Sequence, residues 1–295
     1  MRIILSMFAV FVAIFVTTAT AQNDNKAKFS IGAIADCQFA NQDNYGERLY
    51  RRSPKKLEDT VRHLNSFNLD HVVHLGDFID TDWNSFDLLK PITNQLKHPL
   101  YHVLGNHDFS VADNKKHLVT AKLNMPARYH SFKHKNWRFI ITDGNDISTH
   151  AWPVDSAEYK AAKSLHADHY PDRETWNGAF SKKQINWLTS ELVDAEKLDE
   201  KVVIYSHFPI YPANEHNVWN DQELLSLLKS HKSVKLWLNG HNHDGNYAKI
   251  NDIHFLTLKA MVNTEETAYT RLDFDENHIK VIGFGRQESM ILPFK

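Results

Sequence analysis

The chain has 295 residues, 42% of them hydrophobic and 24% charged, with a formal net charge of -2. This is the composition of a soluble globular protein with room for a large core, and its near-neutral balance provides no global field to draw in nucleic acid or an anionic membrane. No nucleic-acid partner is expected. Its 19 histidines are unusual and favour metal binding, since histidine is the commonest metal ligand.

Arg2 is followed by an apolar run from Ile3 to Val16 and then by small residues ending in Ala19-Thr20-Ala21. This is the pattern of a secretory signal, predicted to occupy residues 1–21 with the mature chain starting at Gln22. The alternative is a retained membrane anchor. The apolar stretch is short for a span of roughly 20 residues, which favours export without stable membrane association after cleavage. Cys37 is the only cysteine and no N-x-Ser/Thr sequon occurs, which suits a periplasmic or secreted bacterial protein held together by its core.

Residues 22–295 read as one α/β domain. Phe29 to Ala35 is an apolar strand ending at Asp36. Ser53-Pro54 predicts a helix start, with Ser53 as cap and Leu57, Val61 and Leu64 as the buried stripe. Val72 to Leu75 predicts a strand ending at Gly76-Asp77, and a helix through Leu88, Leu89, Ile92 and Leu96 precedes the strand Leu100 to Leu104. Arg128 to Phe132 and Trp137 to Thr142 predict a hairpin around His134-Lys135-Asn136. The stretch at about 143–177 is polar, aromatic-rich and without periodicity, and reads as a long insertion over the site. Ser181 to Gln184 is a capping-box signature for a helix with Ile185, Leu188 and Leu192 inward. Lys201 to Tyr205 and Val234 to Leu238 are strands ending at Ser206-His207 and Gly240-His241, and the rest is mostly strand.

Five of these strand ends finish in ligand chemistry: Asp36-Cys37-Gln38, Gly76-Asp77-Phe78-Ile79-Asp80, Gly105-Asn106-His107-Asp108, Ser206-His207 and Gly240-His241-Asn242-His243. Any one alone is more often a turn, a cap or a core histidine. Jointly they describe a two-metal hydrolytic centre. Asp77 is the candidate bridging carboxylate, Asn106 offers a carbonyl oxygen, and His207, His241 and His243 offer imidazoles. The i, i+2 spacing of His241 and His243, and of Asp36 and Gln38, predicts side chains on one side of an extended segment. Oxygen and nitrogen donors without thiolates favour Mn²⁺, Fe or Zn²⁺. His107 is assigned not to a metal but to a phosphoryl oxygen or a leaving group, with Asp80 orienting its ring.

Together the blocks resemble the calcineurin-like metallophosphoesterases, whose pattern is D-x-H, G-D-x-x-D, G-N-H-D/E, H and G-H-x-H. Four of the five are complete here, and Gln38 stands where most members have histidine. Asp-x-Gln resembles the subgroup of manganese-dependent ADP-ribose/CDP-alcohol diphosphatases. So do Tyr50-Arg51-Arg52-Ser53, Tyr101 to Phe109, Lys201 to Ile204, Ser206 to Pro212 and Gly240 to Gly245. The resemblance implies a four-layer αββα sandwich of two mixed β-sheets flanked by helices. It also implies one metal on Asp36, Gln38, Asp77 and His243, and a second on Asp77, Asn106, His207 and His241, both most simply Mn²⁺. The expected reaction is cleavage of the pyrophosphate bond of nucleoside diphosphate-linked compounds by a metal-bridging hydroxide. Arg51 and Arg52, and with less support Arg48, are candidates for the second phosphate. Phe39 and Phe208 are candidates for the nucleoside pocket. Trp152, Tyr159, Trp176 and Trp219 are available to close over a base, though most buried tryptophans are core.

Overall fold

A computed structural model describes residues 28–295; the expected signal segment and mature start lie outside the described residues. The chain runs β1 (Phe29–Ile34), α1 (Ser53–Leu64), β2 (His71–His74), α2 (Trp83–Thr93) and β3 (Leu100–His102). Single-turn helices α3 (Asp113–Lys116) and α4 (Val119–Lys122) lead to β4 (His130–His134) and β5 (Trp137–Ile141). Then come α5 (Ala157–His169), α6 (Lys182–Lys197), β6 (Lys201–Tyr205), α7 (Asp221–Lys229) and β7 (Val234–Asn239). The strands β8 (Asn246–Ile250), β9 (Ile253–Thr257), β10 (Ala268–Phe274), β11 (His278–Gly285) and β12 (Met290–Pro293) complete the chain.

Two mixed six-stranded sheets result, ordered β12-β11-β10-β1-β2-β3 and β4-β5-β6-β7-β9-β8. Strand alternation explains their stacking. Along β5, Trp137, Phe139 and Ile141 face the layer between the sheets, while Ile140 faces outward; along β6, Val203 and Tyr205 point in and Val202 and Ile204 out. Aromatic rings close the inner layer: Phe29 of β1 meets Trp137 and Phe139 of β5 edge-on, at 6.3 and 6.2 Å between centroids. Helices cover both outer faces. Leu57, Val61 and Leu64 of α1 pack on the first sheet, and Ile185, Leu188 and Leu192 of α6 with Leu224 and Leu228 of α7 pack on the second. The fold is the αββα sandwich, and its parallel strands β1, β2, β6 and β7 release their C-terminal loops at one end. Among the described residues no helix is long and apolar enough to cross a membrane.

Local details depart from the sequence expectations for identifiable reasons. Ser53 does not cap α1: a short 3-10 turn over Tyr50–Arg52 runs into the helix, Arg52 occupies the cap position, and the Ser53 hydroxyl is buried without a partner. Leu88 is on the exposed face of α2, and Leu96 lies beyond its end. The capping box of α6 is half made. Ser181 Oγ accepts from Gln184 N at 3.2 Å, but the Gln184 carboxamide turns away to hold the Asp143 backbone, accepting from its N at 2.8 Å and donating to its O at 2.9 Å. The stretch 143–177 is partly regular, since Ser156 caps the helix α5. Its ends are joined by a bridge between Ile147 and Ala179, and Arg128 clamps its start by an ion pair to Asp143 at 2.5 Å while stacking between Phe109 and Trp152.

Candidate metal centre

The strand ends converge on a cavity of about 270 Å³ lined by Gln38, Arg48, Asp77, Asn106, His107, Trp176, His216, His241 and His243. Clefts of about 610 and 680 Å³ lie at the opposite end of the sheets, around Lys201 and Lys235, and gather no comparable ligand set. The small cavity is where the predicted ligands meet.

Contacts join all seven predicted ligands. Asp77 Oδ2 accepts from Gln38 Nε2 at 3.2 Å and lies 3.2 Å from His207 Nε2, which is also 3.1 Å from Asn106 Oδ1. Asp36 accepts from the His241 backbone N–H with both oxygens at 3.1 Å, and its Oδ1 lies 3.9 Å from His243 Nε2. Asp77, His207 and His241 present ligand atoms within 4.8 Å of one another. The backbone that delivers them is not extended, contrary to the i, i+2 expectation. Asp36, Gln38, Asp77 and His241 have φ of 52°, 44°, 53° and 70°, the left-handed region that costs a non-glycine residue on the order of 1–2 kcal/mol. Tight turns, not one strand face, aim these side chains. Gly76 has φ 93° and lies so close to the His207 ring that a side chain there would clash with it.

Asp108 supplies the brace that holds two of these turns. Its carboxylate accepts from the N–H of Gly105, Asp77 and Phe78 at 2.9, 3.1 and 2.9 Å. Asp77 Oδ1 in turn accepts from His107 N at 2.8 Å, so the second and third ligand runs are locked together.

The electrostatics are those of a site built for cations. Burial pushes the Asp36 carboxyl up to about 7, against the pull of His207. Burial acts the same way on Asp77, but the charges of His207 and His107 outweigh it and hold Asp77 well below the usual carboxylate range. Burial opposes charge on His207 too, yet the adjacent Asp77 lifts it to about 9. Burial keeps His241 and His243 neutral, with His243 pushed down to about 3. Gln38 Oε1 is buried without a hydrogen-bond partner. Carboxylates this deeply buried, an orphaned amide oxygen and neutral imidazoles fit a divalent cation of borderline hardness. Asp36, Gln38, Asp77 and His243 would hold one ion, and Asp77, Asn106, His207 and His241 a second, with the proton on His207 released as metal binds.

His107 lies beside the ligands at the cavity wall. Its Nδ1 is 3.2 Å from Asp80 Oδ1 and 3.1 Å from the Asp80 carbonyl, which leaves Nε2 as the ring atom for a bound molecule. Gln42 Nε2 holds the other Asp80 oxygen at 2.9 Å.

The family model described as calcineurin-like phosphoesterase matches residues 29–245. The chain belongs to that family. It is a metal-dependent phosphohydrolase. Two relatives named manganese-dependent ADP-ribose/CDP-alcohol diphosphatase are similar over nearly their whole length. The human protein is 30% identical over 90% of this chain and 93% of its own, and the Arabidopsis thaliana protein 28% identical over 88% and 96%. A dimetal phosphatase from Danio rerio superposes with a TM-score of 0.83 at 26% identity, covering 92% of this chain and all of its own.

The substrate contacts expected of this phosphoesterase need correction. Arg51 points to the surface, where it binds Asn41 at 2.9 Å and Asp43 at 2.8 Å, and Arg52 reaches the exposed Glu265 at 3.5 Å. The 3-10 turn explains both, because it sends Tyr50 inward and the two arginines out. Arg48 faces the cavity instead, with no side-chain hydrogen bond or ion pair among the described residues. Phe39 and Phe208 are core. Phe39 is 6% exposed and belongs to the core cluster, and Phe208 is fully buried with its ring 4.6 Å from that of His241. The exposed aromatic at the cavity is Trp176, while Trp219 is buried. His216 also lines the cavity, with its ring 5.3 Å from that of His241. No local pattern marked it.

Proposed function

We propose that this phosphoesterase hydrolyses the pyrophosphate bond of nucleoside diphosphate-linked compounds such as ADP-ribose and CDP-alcohols, with Mn²⁺ as its metal. The observation that carries this reading is the pairing of an unpartnered guanidinium, Arg48, with an exposed indole, Trp176, beside the metal ligands. A monoester needs neither. A diphosphate offers a second anionic group for Arg48, and a nucleoside offers a base for Trp176. The cavity, at about 270 Å³, is small against the roughly 300–1,000 Å³ usual for small-molecule sites, which suits a buried diphosphate with its nucleoside at the rim.

Hydrolysis forms one P–O bond to water and breaks one P–O bond of the anhydride, whose electron pair leaves on the bridging oxygen. Divalent cations bound by the ligands supply positive charge that acidifies the attacking water and draws electron density from the phosphoryl group. His107, held through Nδ1 by Asp80, is placed to give a proton from Nε2 to the departing oxygen. Arg48 neutralises charge on the second, departing phosphate. The products are a nucleoside monophosphate and a phosphorylated partner.

A substrate panel with added Mn²⁺ tests this. Release of CMP from CDP-choline or AMP from ADP-ribose, with negligible turnover of a cyclic nucleotide and of p-nitrophenyl phosphate, is the expected result. Turnover of the monoester alone would overturn it. Export belongs to the same reading and rests on the charged, apolar and small-residue pattern up to Ala21. Sequencing the N-terminus of the protein recovered outside the cytoplasm should give Gln22, and a cytoplasmic protein starting at Met1 would refute it.

A further inference from the structure

His241 and His243 stand two residues apart on one turn, yet hydrogen bonds grip them by different ring atoms. His241 Nε2 lies 2.8 Å from Asn177 Oδ1, whereas His243 Nδ1 lies 2.9 Å from Asn263 Oδ1. Which atom of each carboxamide faces the ring is decided on its far side. Asn177 Nδ2 donates to the Glu215 carbonyl at 2.7 Å, and a carbonyl oxygen accepts only. Asn263 Nδ2 faces the Glu47 carboxylate at 3.5 Å, again an acceptor. Both amide oxygens are therefore turned to the imidazoles, and an amide oxygen requires an N–H from its partner.

Neither asparagine is free to turn over. Asn177 is fully buried, and the next residue, Gly178, is tied by its carbonyl to Trp219 N at 2.8 Å. Asn263 sits in a loop whose carbonyls surround the Lys56 ammonium, with Met261, Asn263 and Thr264 O at 2.8, 3.0 and 2.5 Å. The same loop is bonded to the Arg48 segment through Leu49 N to Val262 O at 3.1 Å and Thr264 N to Glu47 O at 2.8 Å. Arg48 and the grip on His243 are thus parts of one braced unit.

We propose that Asn177 and Asn263 are positioning residues that fix His241 as the Nε2–H tautomer and His243 as the Nδ1–H tautomer. The two histidines then turn opposite ring nitrogens, Nδ1 and Nε2, toward the metals. Consistent with this, His243 Nε2 is the ring atom facing Asp36. The inference rests on the metal-centre reading above. A ligating imidazole uses the lone pair its tautomer leaves open, so losing the amide acceptor leaves each ring to divide between tautomers, and losses of outer partners of this kind cost roughly 10–100-fold in metal affinity.

Long-range proton–nitrogen correlation spectra of the ¹⁵N-labelled, metal-free protein read each tautomer directly, and Mn²⁺ titration of the same samples reads affinity. The expected result is opposite tautomers in the unsubstituted protein. Asn263→Leu should mix the His243 tautomers and weaken one Mn²⁺ binding step by about 10–100-fold. Asn177→Leu should do so for His241, and Asn263→Asp, which keeps an acceptor, should restore the single His243 tautomer. Like tautomers in the unsubstituted protein, or leucine variants with unchanged spectra and affinities, would overturn the proposal. Absence of Mn²⁺ binding in the unsubstituted protein would overturn the metal-centre reading instead, and the metal-free spectra would still decide the tautomers.

Discussion

Asp77 and Arg48 line the same cavity, but one stands at the end of a buried strand and the other in a loop far from any strand end. The floor of the site, made of Asp36, Asp77, Asn106, His207, His241 and His243, is built of turns that issue from the sheets, and Asp108 ties two of them together. The rim, made of Arg48, Trp176 and His216, comes from connecting segments rather than from strand ends. The difference separates two tasks. On the proposed reading the floor carries reaction chemistry, which demands fixed geometry, and the rim carries recognition of the rest of the substrate.

Removing the floor's shared carboxylate should have the largest effect. Asp77→Asn keeps the shape and an acceptor for His107 N but loses the negative charge common to both ligand sets. Turnover at saturating Mn²⁺ should fall by at least about a thousand-fold, roughly 4 kcal/mol of barrier, with an unchanged circular dichroism spectrum. Activity within tenfold of the parent would break the division between floor and rim. His107→Ala should come next, at about a hundred-fold in kcat. Its deficit should shrink for a p-nitrophenyl ester of a nucleoside monophosphate, whose leaving oxygen needs no proton. An equal loss on both substrates would remove the proton-donor role.

The gathering of the floor residues at one place was legible in the sequence because the runs that carry them follow apolar strands, and strand and ligand types are both local signals. The floor's backbone was not. Left-handed φ at Asp36, Gln38, Asp77 and His241 goes against residue preference and is imposed by the turns that the tertiary structure closes. The rim was legible only in part. Arg48, Arg51 and Arg52 form one charge cluster in the sequence, and only the 3-10 turn decides which of them reaches the cavity. Asn177 and Asn263 lie 64 and 20 residues from their histidines, so nothing local marks them as partners. Adjacency misled for Phe39 and Phe208: both neighbour a ligand in the chain, and both side chains are buried in the core rather than at the cavity.

The floor also depends on the layer beneath it, and that dependence should show in acid. His71 is 2% exposed between the sheets, its Nε2 2.9 Å from the Tyr205 hydroxyl, and burial, with a smaller push from His134, lowers it to about 3. Between its ordinary 6.5 and that value the unfolded chain binds a proton that the folded chain refuses, so stability is lost as pH falls through this window. At pH 5 the loss from this one residue is about 2 kcal/mol. His71→Phe leaves Tyr205 Oη without its partner at every pH, which lowers stability throughout but cannot change the slope. Urea unfolding at pH 7 and pH 5 should therefore show a drop about 2 kcal/mol smaller in the variant. An identical drop in both proteins would mean that His71 takes up its proton inside the fold.

The smallest effects are expected at the rim, and there the contrast between neighbouring arginines is more telling than either value. Arg48→Ala removes a guanidinium that faces the cavity, and loss of one charge-assisted contact to a substrate phosphate corresponds to about a tenfold lower kcat/KM on CDP-choline. The same variant should change little on a nucleoside monophosphate p-nitrophenyl ester, which has no second phosphate to lose. Arg51→Ala and Arg52→Ala remove exposed ion pairs to Asp43 and Glu265, of a kind that contributes little, and should leave both substrates within about twofold. If Arg51→Ala matched Arg48→Ala, the 3-10 turn would have to open in the substrate complex, and the rim would be a moving part. If Arg48→Ala lowered both substrates equally, Arg48 would serve the phosphoryl group under attack and would belong with the floor.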